Sequence, residues 1–272
     1  MTTSHGERSL NYLILVGFSV VALWPVVTIL AGAFGPAGPD AGAGLAGLHP
    51  ENFATAWREG HFSQYMTNSV LVCALVVVLA VSTSILAGYA FGTMTFRGSG
   101  VLFYLFLLGI MVPAEAIVVP LFFDLRQLGL IDTIWAVALP QVAQSIAFGT
   151  YWMRTYFRSS NRSIAEAARL DGAGSAQSLW FIQLPIARPA VVTLVVLVFM
   201  WTWNEFLIPL VMSPSGALRT APLGLAFFQG QYTTNTALLG AAAVLVALPV
   251  VVVYLFLQRH FIQGMVDGAV KD

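Results

Sequence analysis

Glu166-Ala167-Ala168-Arg169-Leu170-Asp171-Gly172-Ala173, followed by Leu184-Pro185 and Pro189, is a polar island between two long apolar runs. The chain has 272 residues, of which 58% are hydrophobic and only 9% charged. Soluble domains carry about 25% charged residues, so most of this chain faces lipid or other apolar helices. In such a chain a short polar segment that concentrates charge is a candidate for contact with something soluble. Read locally, Ser163-Ile164-Ala165-Glu166 has the form of a capping box, with Ser163 as N-cap and Glu166 at N3. Gly172 suits the helix stop. The result is a helix of about two turns, too short to be stable alone. Ala165, Ala167 and Ala168 keep it thin enough to enter a groove, so it either docks into a partner or lies on the membrane surface. A second helical stretch is predicted from about Ser175 to Ile182, leading to Leu184-Pro185, where the chain re-enters the membrane.

Outward from this island, six segments have the roughly 20 apolar residues that a membrane-crossing helix needs. They are about 12–34, 67–91, 101–123, 133–153, 189–212 and 236–257. The expectation is one all-α, polytopic membrane domain over 1–272, with a cytoplasmic loop at about 158–188 and a tail at 258–272. Pro25, Pro113, Pro120, Pro140, Pro209 and Pro249 fall in these spans, where neighbouring groups re-satisfy freed backbone; the expectation is kinked helices, either around a cavity or as ordinary kinks with no function. The first run is too long for the usual h-region of a signal peptide, about 7–15 residues, and is expected to stay as an anchor. Six spans put both termini on one side. That side holds Arg8, Arg97, Arg154, Arg158, Arg162, Arg169, Arg188, Arg259 and Lys271, against Arg58, Arg126 and Arg219 on the other. The bias makes the first side cytoplasmic. On the outer side, 35–64 opens as a Gly/Pro-rich stretch, and a short interfacial helix is predicted to follow, through Trp57.

Several chemistries are excluded. A phosphate-cradling Walker A loop needs Gly-x-x-x-x-Gly-Lys, and the one lysine is Lys271. ATP hydrolysis must therefore come from another polypeptide. His5, His49, His61 and His260 have no zinc-ligand spacing, and Cys73 alone allows no internal disulfide. Net charge is zero, so no basic field argues for nucleic acid. No cofactor and no metal are expected on this chain.

The island resembles the EAA loop of ABC-importer permeases. The carriers are Glu-Ala-Ala-Arg-Leu-Asp-Gly-Ala, then Ile182-Gln183-Leu184-Pro185 and Pro189. The chain is similar to the maltose-type carbohydrate permeases in particular. That likeness rests on Asn68-Ser69, Met111-Val112-Pro113-Ala114-Glu115-Ala116, Trp203-Asn204-Glu205-Phe206-Leu207 and the tail from Gln263-Gly264 to Lys271. It covers roughly 65–272. The resemblance implies a type I importer permease fold and alternating access. Ser163, Glu166, Ala167, Ala168, Leu170, Asp171 and Gly172 would form a coupling helix seated on a cytoplasmic ATPase dimer. Gln263, Gly264 and Lys271 would reach into that dimer, which would hold ATP and Mg2+. A second homologous permease and an extracytoplasmic solute-binding protein would complete the system, in a prokaryotic inner membrane.

For the solute path, the residues themselves nominate Glu115 and Glu205. Counted along straight helices, both lie about 20–25 Å from the cytoplasmic ends, in the outer half of a roughly 30 Å core. A midplane carboxylate costs on the order of 3 kcal/mol on insertion scales, so each is either a gate or solute contact, or solvated and structurally bonded. Asn204 is its polar neighbour. Gln141, Ser145, Phe148 and Trp152, with Gln144 alongside, share one face of the fourth span. Amides and aromatic planes suit a sugar, but equally serve as interhelical polar contacts. No lysine or arginine falls inside a span, which favours a neutral solute over a phosphorylated one. Two other classes stay open: an ion-coupled secondary transporter or channel with Glu115 and Glu205 as proton sites, and an intramembrane enzyme built on that acid pair.

Overall fold

The computed structural model describes residues 5–36, 47–160, 162–229 and 235–269. These are helical with no β-ladder, and they fall into two units: Met1–Gln64 with Gly224–Leu248, and Tyr65–Leu223 with Pro249–Asp272.

In the first unit, α1 (His5–Ala33) ends in carbonyls that need partners. Asn52, buried in α2 (Glu51–Glu59), supplies them: its side-chain amide donates to the carbonyls of Ala33 at 2.9 Å and Gly35 at 2.8 Å. Phe34 and Phe53 pack with centroids 5.1 Å apart. The predicted interfacial helix is therefore present and clamps the end of α1. The His49 Nδ1 and Glu51 Oε1 atoms are hydrogen-bonded at 2.6 Å. The Glu51 carboxyl is held below its usual range, first by a backbone hydrogen bond and then by His49.

The second unit holds the core. It contains most of α3 (Phe62–Thr93), α4 (Ser99–Met111), α5 (Ala114–Gln127), α6 (Ile134–Ser159), α7 (Arg162–Leu170), α8 (Ser175–Gln177), a π-helical turn Ser178–Gln183, α9 (Leu184–Ile186), α10 (Arg188–Asn204), α11 (Leu207–Met212) and most of the short α12 (Ala221–Gly224). A 3-10 turn over Leu225–Phe228 precedes the last helix, α13 (Thr236–Ala269). Helices α3 and α6 run parallel along a seam of small residues. Ser84 meets Gly149, Gly88 meets Met153 and Gly92 meets Phe157, each pair advancing four residues. Small residues let two membrane helices approach this closely.

The six expected spans are bent in detail. Among the described residues, three helices are long and apolar enough to cross a membrane, or five if two bent pairs each count once. The third expected span is two helices, α4 and α5, meeting at 99°. Pro113 forces this. It donates no N–H and pushes Val112 out of the helical region, and Val112 is extended at φ −79°, ψ 118°. The fifth expected span breaks too. Glu205 is extended at φ −66°, ψ 125° between α10 and α11, because a continued helix would drive the Pro209 ring into the Glu205 carbonyl. Between Ser175–Ile186 and α10 the chain turns by 79°, so Leu184-Pro185 belongs to an elbow and the fifth span starts at Arg188. Helix α6 has 26 residues but is not among the apolar spans. Gln141, Gln144 and Ser145 lower its hydropathy. Twelve of its residues, Gln141 and Ser145 among them, are buried.

Candidate functional site: a polar and aromatic cleft and a short exposed helix

The two helix breaks meet at one place. Val112 and Ala114 from the first, and Asn204 and Glu205 from the second, line a cleft of about 640 Å³ together with Gln141, Gln144, Ser145 and Phe148 of α6. The sequence motifs around Pro113 and Glu205 are thus the positions where straight helices give way to the walls of a cavity. Gly109, Ile110, Leu197, Met200, Trp201 and Thr202 complete the lining.

The polar atoms of this wall are unevenly satisfied. Gln141 is 4% exposed, and its amide N–H donates to the Val137 carbonyl at 2.8 Å. Its Oε1 has no partner, and neither has the Oγ1 of buried Thr202. Buried polar atoms left unpaired cost about 1–3 kcal/mol each, and both belong to residues that line the cleft. Asn204 donates to the Met200 carbonyl at 2.8 Å. Phe148 meets Trp201 edge-on at 4.8 Å. Glu205 is the one ionisable residue among those lining the cleft. Its Oε1 accepts the Ile208 N–H at 3.0 Å, capping the start of α11.

Two expected members are elsewhere. Trp152 turns from the cleft to donate its indole N–H to the Ala190 carbonyl at 3.0 Å, while still stacking on Phe148 at 6.2 Å. Glu115 is exposed in the first turn of α5 and does not line the cleft. The 99° bend removes it from the path that a straight helix would have given. Glu115 and Glu205 are therefore not a pair lining this cavity. Thr202 and Trp201 were missed from the sequence. Thr202 lies one turn before Glu205, a helical spacing that could have signalled it.

On the outer side, as the sequence assigns it, Asp132 organises the loop after α11. Its Oδ1 accepts from Ser215 N at 3.1 Å, Ser215 Oγ at 2.5 Å and Ser213 Oγ at 3.2 Å. The Ser215 hydroxyl is the main reason its carboxyl is held below the usual range. Asn68 donates to the carbonyls of Ala217 and Arg219 at 3.1 and 3.0 Å. Ser69 Oγ accepts the Ala221 N–H at 2.8 Å. The Asn68-Ser69 pair is thus a loop clamp.

The polar island folds as a short helix of about two and a half turns. It starts at Arg162, so Ser163 lies inside its first turn and is not the N-cap. The preceding Asn161, outside the described residues, is as good a capping residue type as serine. Gly172 has φ +82°, and the Ala173 N–H reaches back to the Ala168 carbonyl at 2.9 Å, the six-to-one bond of a Schellman stop. Ala168 is buried, while Leu170 is 89% exposed. Glu166, Ala167, Ser163 and Asp171 are exposed as well. The Gln177 side chain accepts the Gly174 N–H at 2.9 Å. Tyr156 donates its hydroxyl to the Ile186 carbonyl at 3.0 Å, fastening the elbow to α6. Gln263 and Gly264 continue α13; Lys271 lies outside the described residues.

A sequence model described as "Binding-protein-dependent transport system inner membrane component" matches residues 80–267. The chain is 38% identical to the probable ABC transporter permease protein YurM of Bacillus subtilis (strain 168), over 82% of this chain and 74% of that one. It is 30% identical to the trehalose/maltose transport system permease protein MalG of Thermococcus litoralis, over 95% and 96%. Its fold is similar to a bacterial ABC transporter involved in the import of the acidic polysaccharide alginate, with TM-score 0.81 and 22% identity, covering 96% of this chain and 99% of that chain. With most of its length matched, the chain belongs to the binding-protein-dependent transport system inner membrane components, the multi-pass permeases of ABC importers.

Proposed function

We propose that this permease carries a neutral sugar or oligosaccharide inward, and that its own cleft contacts the solute. The observation that carries this is the lining itself. Amide and hydroxyl oxygens without partners stand beside aromatic rings, a set that pairs with sugar hydroxyls and C–H faces. No arginine, lysine or histidine lies on that wall. An acidic saccharide of the kind named for the fold relative would meet Glu205 and no cation. The trehalose/maltose name of the Thermococcus relative supports the neutral class.

In this reading the helix Arg162–Leu170 is the coupling helix. Leu170 and its exposed neighbours press on a cytoplasmic ATPase dimer, which holds ATP and Mg2+ and does the hydrolysis. A second homologous permease forms the other half of the pathway, a solute-binding protein delivers cargo from outside, and both termini are cytoplasmic. The tail through Gln263, Gly264 and Lys271 adds a second ATPase contact. Closure of the ATPase dimer moves the coupling helix, the elbow at Ala187 passes this to α10, and the cleft changes sides.

The test is uptake of a panel of labelled neutral and uronic-acid oligosaccharides by cells carrying the intact transporter. Uptake of neutral members alone supports the reading. Preference for the acidic ones overturns it.

A further inference from the structure

A second site lies at the other end of α6. Arg154 is half-buried there, with its guanidinium carbon 3.7 Å from the ring centroid of Phe103. Its Nε donates to the Phe91 carbonyl at 3.3 Å. Phe91 in turn packs on Phe96, Phe103 and Phe106, with centroids 5.6–5.8 Å apart. A guanidinium has five N–H donors. The aromatic floor attracts its charge but accepts no conventional hydrogen bond, so four donors remain beyond the Phe91 bond. Arg158, one turn on and exposed, lies within electrostatic reach of Arg154. Arg97 follows Phe96 in the turn between α3 and α4. Among the described residues no carboxylate pairs with Arg97, Arg154 or Arg158. Like charges gathered without a counter-charge repel one another, and a doubly hydrogen-bonding anion would relieve this.

The neighbouring surface says which anion. Helix α4 starts beside this cluster; its Phe103 lies under Arg154, and the adjoining face carries Tyr104, Leu108 and Met111, 69%, 54% and 78% exposed. A phosphate seated on Arg154 and Arg158 would have an apolar stripe leading away from it into the hydrocarbon. Soluble phosphate would use only the first half of that surface. We infer that Arg154 and Arg158, floored by Phe103, bind the phosphate of an anionic glycerophospholipid whose acyl chain lies along α4.

The test uses the full-length chain with whatever subunits purify with it. Thermal unfolding is followed in micelles of a neutral detergent with added phosphatidylglycerol, phosphatidylcholine or inorganic phosphate, and retained lipid is counted by native mass spectrometry. Phosphatidylglycerol should raise the melting temperature and the other two should not. Arg158→Gln, which leaves the Phe91 bond intact, should bind phosphatidylglycerol roughly fivefold more weakly. Arg154→Gln with Arg158→Gln should lose the effect, while Arg126→Gln keeps it. Equal stabilisation by phosphatidylcholine, full stabilisation by inorganic phosphate, or unchanged lipid retention in Arg158→Gln would each overturn the assignment. If the double variant fails to fold, the single exposed substitution still decides.

Discussion

A β-carbon added to Gly88 would fall 2.5 Å from the Cβ of Met153. Real β-carbons essentially never come so close, and the atoms in the way are stem and backbone, not a flexible tip. The α3–α6 seam therefore holds its spacing through Gly88. The same helix α6 carries Gln141 and Ser145, so the seam anchors one wall of the cleft. Gly88→Ala should destabilise the permease by about 1–3 kcal/mol through overpacking, lowering its melting temperature in detergent. Gly17→Ala in α1, where nothing lies within 4 Å, should leave it unchanged.

Gly172 makes a different demand. Its φ of +82° is left-handed, and a side chain there costs about 1–2 kcal/mol. The helix it ends is only nine residues long, so this cost falls on a segment with little stability of its own. Gly172→Val should insert normally yet lose most solute uptake and solute-stimulated ATP hydrolysis. Wild-type values for both would refute the coupling assignment.

Glu205 separates two readings of an intramembrane carboxylate. If its work is to accept the Ile208 N–H, Glu205→Gln keeps an acceptor and should transport near normally. Glu205→Ala loses the cap, at about 0.5–2 kcal/mol, and should be less stable and slower. A proton carrier would lose function equally in both.

Thr202→Val replaces an unpartnered hydroxyl by a methyl of similar shape, which is close to neutral or stabilising for the fold. The melting temperature should hold or rise, while the KM for uptake rises several-fold. An unchanged KM would remove Thr202 from the solute path.

Asp132 gives a pH dependence whose sign is fixed. Its carboxyl is depressed chiefly by the Ser215 hydroxyl. The stabilisation is thus present above the ordinary aspartate value, near about 3.9, and is lost as pH falls through the lower folded-state value. Protection of the Ser215 and Ala217 amides, taken against their intrinsic exchange rates at each pH, should fall as the medium is acidified through this range. In Asp132→Ala it should be low at every pH. The effect should be small, since the carboxylate is largely solvated.

The apolar runs, the Gly172 stop and the helix 51–59 were legible because each is local: hydropathy, a left-handed glycine and a proline-bounded amphipathic patch. Kinks at Pro113 and Pro209 were legible; the full breaks at Val112 and Glu205 were not. Proline inside a membrane run permits a kink as readily as a 99° turn, and only packing around the cleft selects. That choice moved Glu115 off the cavity and brought Ala114 and Val112 onto it. Trp152 shares a helical face with Gln141, but its indole N–H found a carbonyl on α10, and periodicity carries no information about a partner 38 residues away. Thr202 was overlooked because a single hydroxyl in an apolar helix is ordinarily bonded back to its own backbone; here Oγ1 is not.

The central claim is that this chain moves a solute only as part of an ATP-driven, binding-protein-dependent machine. The direct measurement is solute uptake into proteoliposomes holding the chain with its ATPase and second permease, ATP supplied on the ATPase side. Uptake should require ATP and the loaded binding protein together and vanish when either is omitted. Flux through the chain alone, driven by an ion gradient and indifferent to ATP, would contradict the account.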